Sequence, residues 1–137
     1  MKDGILKKIR EKMVNFVNAM ESAENYLEAI LMESRTQEKV RAVDICTRLH
    51  FSRPTVSVML KNLRERGFVT TDGSALLLTD EGRAVAERTY ERHCVIAGLL
   101  MRLGVSEESA YADACRIEHD ISEETFLCMK EHFEKHQ

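Results

Sequence analysis

The stretch "VRAVDICTRLHFSRPTVSVMLKNLRERG", residues 40–67, decides the fold. Its apolar residues recur at helical spacing on either side of a short break, which predicts helices at about 41–49 and 53–66. The following "FVTTDGSALLLT", residues 68–79, has β-branched residues on both sides of Asp72-Gly73, a dipeptide typical of a tight hairpin turn. Helix, turn, helix and hairpin in this order predict a winged helix-turn-helix.

Helical spacing continues through most of the remaining chain, because only six glycines and one proline interrupt it. Good N-cap residues mark several helix starts: Ser22, Ser52, Asp80, Ser106 and Ser122. The further helices are predicted at about 5–19, 22–35, 80–103, 107–120 and 123–136. The expected fold class is therefore mainly α, with one small β-hairpin as the wing.

Composition and charge narrow the classes of protein. No apolar run approaches the roughly 20 residues that span a bilayer, and the charged N-terminus lacks the apolar core of a signal peptide, so we expect a cytoplasmic protein with no membrane partner. The four cysteines form no CxxC pair, which favours a reducing compartment over a disulfide framework. These cysteines are Cys46, Cys94, Cys115 and Cys128.

The charge is distributed unevenly along the chain. Residues 39–66 carry seven Lys/Arg against two Asp/Glu, whereas residues 104–137 carry three against nine, within a net charge of −3. A basic middle segment in an acidic protein indicates a surface that faces a polyanion, although a cluster of this size is also common on a solvated face.

The second helix of the helix-turn-helix separates two kinds of side chain. Val56, Leu60 and Leu63 share one apolar stripe with Met59, so Val58 points to the opposite side. An outward valine fits a major groove, where it can contact a thymine methyl group, while neighbouring cations and hydroxyls can contact phosphates and base edges. The alternative is an amphipathic surface helix with one exposed valine. The predicted contacts to double-stranded DNA are Ser52, Arg53, Pro54, Thr55, Ser57, Val58, Lys61 and Arg64.

A second group of residues indicates metal chemistry. Cys115, Glu118 and His119 fall at i, i+3 and i+4, so in a helix they lie within one arc of its surface. A thiolate, a carboxylate and an imidazole suit Fe(II), Mn(II), Co(II) or Zn(II). Two alternatives remain open: an ordinary core or dimer face, and a thiol enzyme in which His119 activates Cys115. No oxyanion loop or third orienting residue supports the enzyme.

Four segments resemble, in order, the diphtheria toxin repressor and manganese transport regulator family of metal-dependent transcriptional repressors. They are "SAENYLEAIL" (22–31), the helix-turn-helix segment (40–63), "LTDEGRAVAERTYERH" (78–93) and "DACRIEHDISEET" (113–125). The resemblance covers about residues 22–136 and implies the compact two-domain type, which lacks the SH3-like C-terminal domain of the longer members. We expect an N-terminal helix and winged helix-turn-helix DNA-binding domain at 1–83, of which the family pattern does not explain residues 1–20, and a helical dimerisation and metal-binding domain at 84–137.

The resemblance also implies a function and a site. The expected protein is a homodimer that binds a palindromic operator controlling metal homeostasis, with a divalent metal as co-repressor. Asn25 stands where the manganese regulators have Asp and the iron regulators Met, Cys115 matches the iron type, and Glu28 matches the manganese type. Both Fe(II) and Mn(II) therefore remain open, as does a metal-independent winged-helix regulator. The implied ligands are Asn25, Glu28, His93, Cys115, Glu118 and His119.

Overall fold

The computed structural model describes residues 2–136, with side chains described for residues 4, 5, 7, 8 and 22–136. The chain divides into two compact units, Met1–Ala86 and Glu87–Gln137. The mainly helical class with one hairpin, predicted from the spacing of apolar residues, is confirmed. The elements are α1 (Lys2–Ser34), α2 (Ala42–Leu49), α3 (Arg53–Glu65), β1 (Val69–Asp72), β2 (Ala75–Leu78), α4 (Asp80–Arg102), α5 (Glu107–Ile117) and α6 (Glu123–Lys135).

The first helix differs from the prediction. The sequence predicted two helices separated near Ser22, whereas α1 runs without a break from Lys2 to Ser34. No glycine or proline occurs between residues 5 and 34, so nothing interrupts the succession of i to i−4 hydrogen bonds. From the sequence, Ile5, Ile9, Phe16 and Met20 could pack this N-terminal segment on a dimer; Ile9, Phe16 and Met20 lie outside the described side chains, and Ile5 is exposed.

The N-terminal unit is built around the helix-turn-helix. Leu27 and Ile30 of α1, Ile45 of α2 and Val56 of α3 are all at most 1% exposed, and Leu63 of α3 is completely buried. These residues bury apolar surface at about 25 cal/mol per Å², which makes this cluster the main source of the unit's stability. Helix α3 packs against α2 and β1, and its buried side is the predicted apolar stripe.

The turn and the wing complete this unit. His50 ends α2 in a left-handed conformation with φ of 58°, and its N–H bonds to the carbonyl of Cys46. The wing is an antiparallel hairpin in which Val69 pairs with Leu78 and Asp72 with Ala75. Leu76 also forms an isolated bridge with Val40, just before α2. The hairpin is therefore fixed to the helix-turn-helix.

The C-terminal unit contains the end of α4 and all of α5 and α6. The hydroxyl oxygens of Ser106 and Ser122 accept hydrogen bonds from the backbone N–H groups of Ser109 and Thr125, which confirms both predicted N-caps. Helix α5 ends at Ile117, not at the predicted residue 120, and a turn follows. The core is formed by Ile96, Ala97, Ala110 and Ala114, against which Leu100, Val105, Ile117, Ile121 and Met129 pack.

No helix of the described residues is long and apolar enough to cross a membrane.

Candidate metal centre

The cluster at the end of α5 is the most chemically distinctive feature of the C-terminal unit. The sulfur of Cys115, a carboxylate oxygen of Glu118 and a ring nitrogen of His119 all lie within 4.8 Å of one another. Cys115 belongs to the last turns of α5, Glu118 is its C-cap, and the N–H of Glu118 still bonds to the carbonyl of Ala114. Helical geometry therefore extends just far enough to bring the three donors together.

Burial makes this cluster more than a surface grouping. Glu118 is only 3% exposed, and the side chains of Glu118 and His119 are 1% and 5% exposed. A ring nitrogen of His119 lies 3.5 Å from a carboxylate oxygen of Glu118. An ionised carboxylate is costly to bury unless it is paired, hydrogen-bonded or bound to a metal. The buried Glu118 carboxylate thus lies beside a thiol and an imidazole, and divalent transition metals accept all three donor types.

His93 of α4 joins the cluster within the same unit. One of its ring nitrogens lies within 4.8 Å of a carboxylate oxygen of Glu118. Its Nε2 is 3.1 Å from the backbone carbonyl oxygen of Tyr111, and the two rings meet edge to face at 5.6 Å between centroids. A carbonyl can only accept, so Nε2 carries the proton and donates it to Tyr111.

Arg92 secures the loop that follows the cluster, and the sequence reasoning missed it. Its guanidinium donates a hydrogen bond of 3.0 Å to the carbonyl of Ile121, two residues after His119, and lies 5.2 Å from the ring centroid of Phe126. It also lies 3.9 Å from the carboxylate of Glu123, and its side chain is only 11% exposed. In the sequence, an arginine that falls among the inward-facing positions of α4 is the signal that could have indicated this role.

The remaining two predicted ligands belong to the N-terminal unit. Asn25 and Glu28 lie on α1, three residues apart and therefore on one side of the helix. Both are half-buried. An amide carbonyl and a carboxylate supply oxygen donors, which hard divalent ions prefer.

The predicted DNA-binding residues form one exposed surface on α3 and the residue before it. Val58 is 71% exposed, as its position opposite the buried stripe predicted. The hydroxyls of Ser52 and Thr55 are 2.8 Å apart and hydrogen-bonded at the start of α3, where Pro54 needs no helical N–H partner. The eight predicted contacts are all exposed: Ser52, Arg53, Pro54, Thr55, Ser57, Val58, Lys61 and Arg64.

The donor types of the C-terminal unit match the chemistry of the expected metal. The C-terminal unit offers a thiol, a buried carboxylate and an imidazole within 4.8 Å of one another, and the second imidazole, of His93, lies within that distance of the same carboxylate. This mixture of soft, borderline and hard donors fits Fe(II), Mn(II), Co(II) or Zn(II) and differs from the all-cysteine or cysteine-rich sets of structural zinc sites. The residues present therefore fit a single divalent transition metal.

Comparison with known proteins supports the same conclusion. The model of the iron dependent repressor N-terminal DNA binding domain matches residues 18–75, and the model of the iron dependent repressor metal binding and dimerisation domain matches residues 79–137. The transcriptional regulator MntR of Escherichia coli O157:H7 is 36% identical over 126 residues, which cover 91% of this chain and 81% of that protein. The regulator MntR of Geobacillus kaustophilus is 32% identical over 102 residues, covering 74% of this chain and 72% of that protein.

Solved structures agree with these relatives. A manganese-dependent transcriptional repressor in complex with manganese has a TM-score of 0.75 and 27% identity, over 81% of this chain and 52% of that one. The manganese regulator SloR has a TM-score of 0.74 and 28% identity, over 82% of this chain and 53% of that one. The chain thus spans about half the length of these two solved regulators.

A winged helix with a metal-ligating helical unit is the architecture of a metal-dependent transcriptional repressor. The chain belongs to the iron-dependent repressor family, which includes the diphtheria toxin repressor and the manganese transport regulators, as its sequence segments indicated. Because the family models and relatives are transcriptional repressors, the alternative of a thiol enzyme at Cys115 and His119 is wrong.

Proposed function

We propose that this chain is a homodimeric repressor, activated by Fe(II) or Mn(II), that binds palindromic operator DNA and controls metal-ion homeostasis. The observation that supports it most directly is the cluster of Cys115, Glu118 and His119 around the buried Glu118 carboxylate, with His93 beside that carboxylate. These donors together suit a divalent transition metal, and the family matches supply the regulatory setting.

We propose that Asn25 and Glu28 complete the ligand set formed by the four donors of the C-terminal unit. The bound metal would supply a positive charge that these donors share. Helix α1 contacts α2 through the Glu33 carboxylate and the Arg48 guanidinium, 2.7 Å apart. Ligation of α1 would therefore bias the placement of the helix-turn-helix, so metal and DNA would favour the same state and each would strengthen the binding of the other.

Either metal is compatible with the proposed ligands. The thiolate of Cys115 favours Fe(II), and the oxygen donors of Asn25 and Glu28 favour Mn(II). Two of the similar solved structures are named for manganese, and the matching family models are named for iron. The proposal therefore keeps both ions and separates them by experiment.

On DNA, α3 would enter the major groove. Val58 would contact thymine methyl groups, while Arg53, Lys61 and Arg64 would contact phosphates. A homodimer would place two such helices about 34 Å apart, or a multiple of that spacing, to match a palindrome.

The apolar residues that the sequence offers for a dimer interface, or alternatively for an intramolecular core, are Ile117, Ile121, Phe126, Leu127 and Met129. Ile117, Ile121 and Met129 pack in the core of their own unit, and Phe126 is 4% exposed. Of that expected set, Leu127 remains exposed. The apolar side chains exposed in this unit, and therefore available to a second copy, include Leu127, Met101, Leu103 and Tyr111.

The test is an anaerobic titration of the metal-free protein with Fe(II), Mn(II), Co(II) and Zn(II), followed by binding to a fluorescent palindromic duplex at fixed salt. We expect Fe(II) or Mn(II) to tighten DNA binding by about 5- to 150-fold, the usual range of allosteric coupling. Cys115→Ala and His119→Ala should remove this effect. Cys128→Ala, which removes an exposed thiol of the same unit, should keep it.

A metal-independent regulator is the second candidate, and Asn25 is the residue that favours it, since a neutral amide is a weaker ligand than a carboxylate. If no metal changed DNA binding or the melting temperature of the wild-type chain, this candidate would replace the first, because a ligand that binds only the native state must stabilise it.

A further inference from the structure

Two consecutive residues of α4 hold the ligand-bearing segment of the C-terminal unit at both of its ends. The Nε2 of His93 donates a hydrogen bond of 3.1 Å to the carbonyl of Tyr111, and the guanidinium of Arg92 donates one of 3.0 Å to the carbonyl of Ile121. The three clustered donors at the end of α5 all lie between these two carbonyls in the chain. The segment is therefore attached to α4 on both sides of the proposed ligands.

The second of these attachments matters most for His119. Helix α5 ends at Ile117, and residues 118–120 form a turn in which the N–H of Asp120 bonds to the carbonyl of Ile117 at 2.9 Å. A ligand in a turn lies beyond the regular succession of helical hydrogen bonds, so its placement depends on what holds the far end of that turn. The carbonyl that Arg92 binds is only two residues beyond this ligand.

The guanidinium of Arg92 is itself held in place by its surroundings. Its side chain is 11% exposed, and its centre lies 5.2 Å from the ring centroid of the buried Phe126. It is also 3.9 Å from the carboxylate of Glu123, which accepts a hydrogen bond of 3.2 Å from Arg88. Because the guanidinium is planar and confined by a ring and a carboxylate, it presents its donor to the loop carbonyl in a defined direction.

We propose that Arg92 is a positioning residue for the metal centre: by fixing the Ile121 carbonyl, it holds Glu118 and His119 in the geometry that binds a divalent metal. This inference rests on the proposed function, since it requires that the cluster binds a metal. Groups that orient metal ligands from outside commonly change metal affinity by about 10- to 100-fold. Since Arg92 acts through the main chain, we expect a change near the lower end, about tenfold.

The charge of Arg92 makes the sign of the effect informative. A guanidinium close to a bound cation repels it, so an influence through charge alone predicts that a neutral side chain at position 92 tightens metal binding. Positioning predicts the opposite, because the neutral side chain releases the turn that carries His119. The direction of the change in metal affinity therefore distinguishes the two roles.

The test measures the affinity of the full metal-free chain for Mn(II) and Co(II), anaerobically and without DNA. Arg92→Met keeps an unbranched apolar stem against Phe126 and removes the charge and the N–H donors. We expect it to bind both ions about tenfold more weakly and to change the ligand-field absorption of bound Co(II), which reports ligand geometry. Arg92→Leu should give the same loss, so the test does not depend on one replacement. Arg92→Lys, which can still donate to the carbonyl, should bind more tightly than Arg92→Met.

Arg88→Met is the matched control, because it removes another guanidinium that contacts Glu123, from a side chain that is 63% exposed. It should bind both ions as the wild type does. Circular dichroism and urea unfolding verify that each variant is folded at the assay temperature. The proposal is overturned if Arg92→Met and Arg92→Leu bind both ions as tightly as the wild type or more tightly, or if Arg88→Met lowers the affinity as much. A wild-type chain that binds neither ion would overturn the proposed function as well, so the two failures are distinguishable.

Discussion

Phe51 connects the helix that carries two proposed ligands to the helix that faces DNA. Its ring stacks on Tyr26 of α1, with centroids 6.1 Å apart and planes inclined by 16°. Tyr26 lies between Asn25 and Glu28, and Phe51 directly precedes the N-cap of α3. If metal binding shifts α1, the stacked rings would therefore displace the start of α3, the DNA-facing helix. We predict that Phe51→Ala weakens the coupling between metal and operator.

The size of the effect follows from the contact. A stacked aromatic pair contributes about 0.5–1.5 kcal/mol beyond the area it buries. At about 1.4 kcal/mol per factor of ten, this is a reduction of about 2- to 13-fold in the ratio of DNA affinities with and without metal. The ion pair between Glu33 and Arg48 also joins α1 to α2 and remains in the variant, so the coupling should fall without disappearing.

The measurement is a thermodynamic cycle. Operator affinity is determined by fluorescence anisotropy with and without saturating Mn(II), and metal affinity is determined without DNA. For Phe51→Ala we expect metal affinity without DNA to stay near the wild-type value while the ratio of DNA affinities falls. Tyr26→Phe, which keeps both rings, is the matched control and should preserve the ratio. A wild-type ratio in Phe51→Ala, with its melting temperature showing a folded protein, would refute the reasoning.

Three further changes test the loop, the wing contact and the base contact. Arg92→Ala removes the charge-assisted hydrogen bond to the Ile121 carbonyl and the cation–π contact, so the free energy of unfolding, measured with urea at fixed protein concentration, should fall by about 2–4 kcal/mol. An unchanged value would contradict the role of Arg92 in holding the loop. Gly82→Ala places a Cβ against the backbone carbonyl of Phe68, and this overpacking should destabilise the protein by about 1–3 kcal/mol. Alanine also has a higher helix propensity than glycine, which stabilises α4 by up to about 1 kcal/mol, so we expect a net loss of stability. The thermal unfolding temperature of Gly82→Ala should therefore decrease. An increase would show that the backbone at residue 68 moves enough to accommodate the Cβ. Val58→Ala should weaken operator binding by about 4- to 15-fold, because the valine would bury one or two methyl groups against the DNA and each contributes about 0.8 kcal/mol. Replacing thymine by uracil in the duplex removes the methyl group and should weaken the wild type more than the variant; equal losses would exclude this contact.

The winged helix was predictable because its determinants are local. The apolar stripe of α3 and the Asp72-Gly73 turn act within a few residues, so periodicity alone indicated both the buried side and the outward position of Val58. The continuity of α1 was not predicted, because Ser22 is a good N-cap residue in isolation yet an ordinary position inside a helix that nothing interrupts. Helix boundaries depend on competition between such signals and the hydrogen bonds of the continuing helix.

The metal cluster shows the same division between local and distant causes. Spacing within α5 was enough to bring Cys115, Glu118 and His119 together, even though the helix ends at Ile117. The orientation of His93 depends instead on the backbone carbonyl of Tyr111, in another helix. Every residue has such a carbonyl, so the residue type at position 111 gives no indication of this hydrogen bond. The same holds for the carbonyl of Ile121, which receives the hydrogen bond from Arg92. The residues that bind a metal can thus be read from side-chain chemistry, whereas the groups that orient them are often main-chain atoms, which every residue has and only the fold can place.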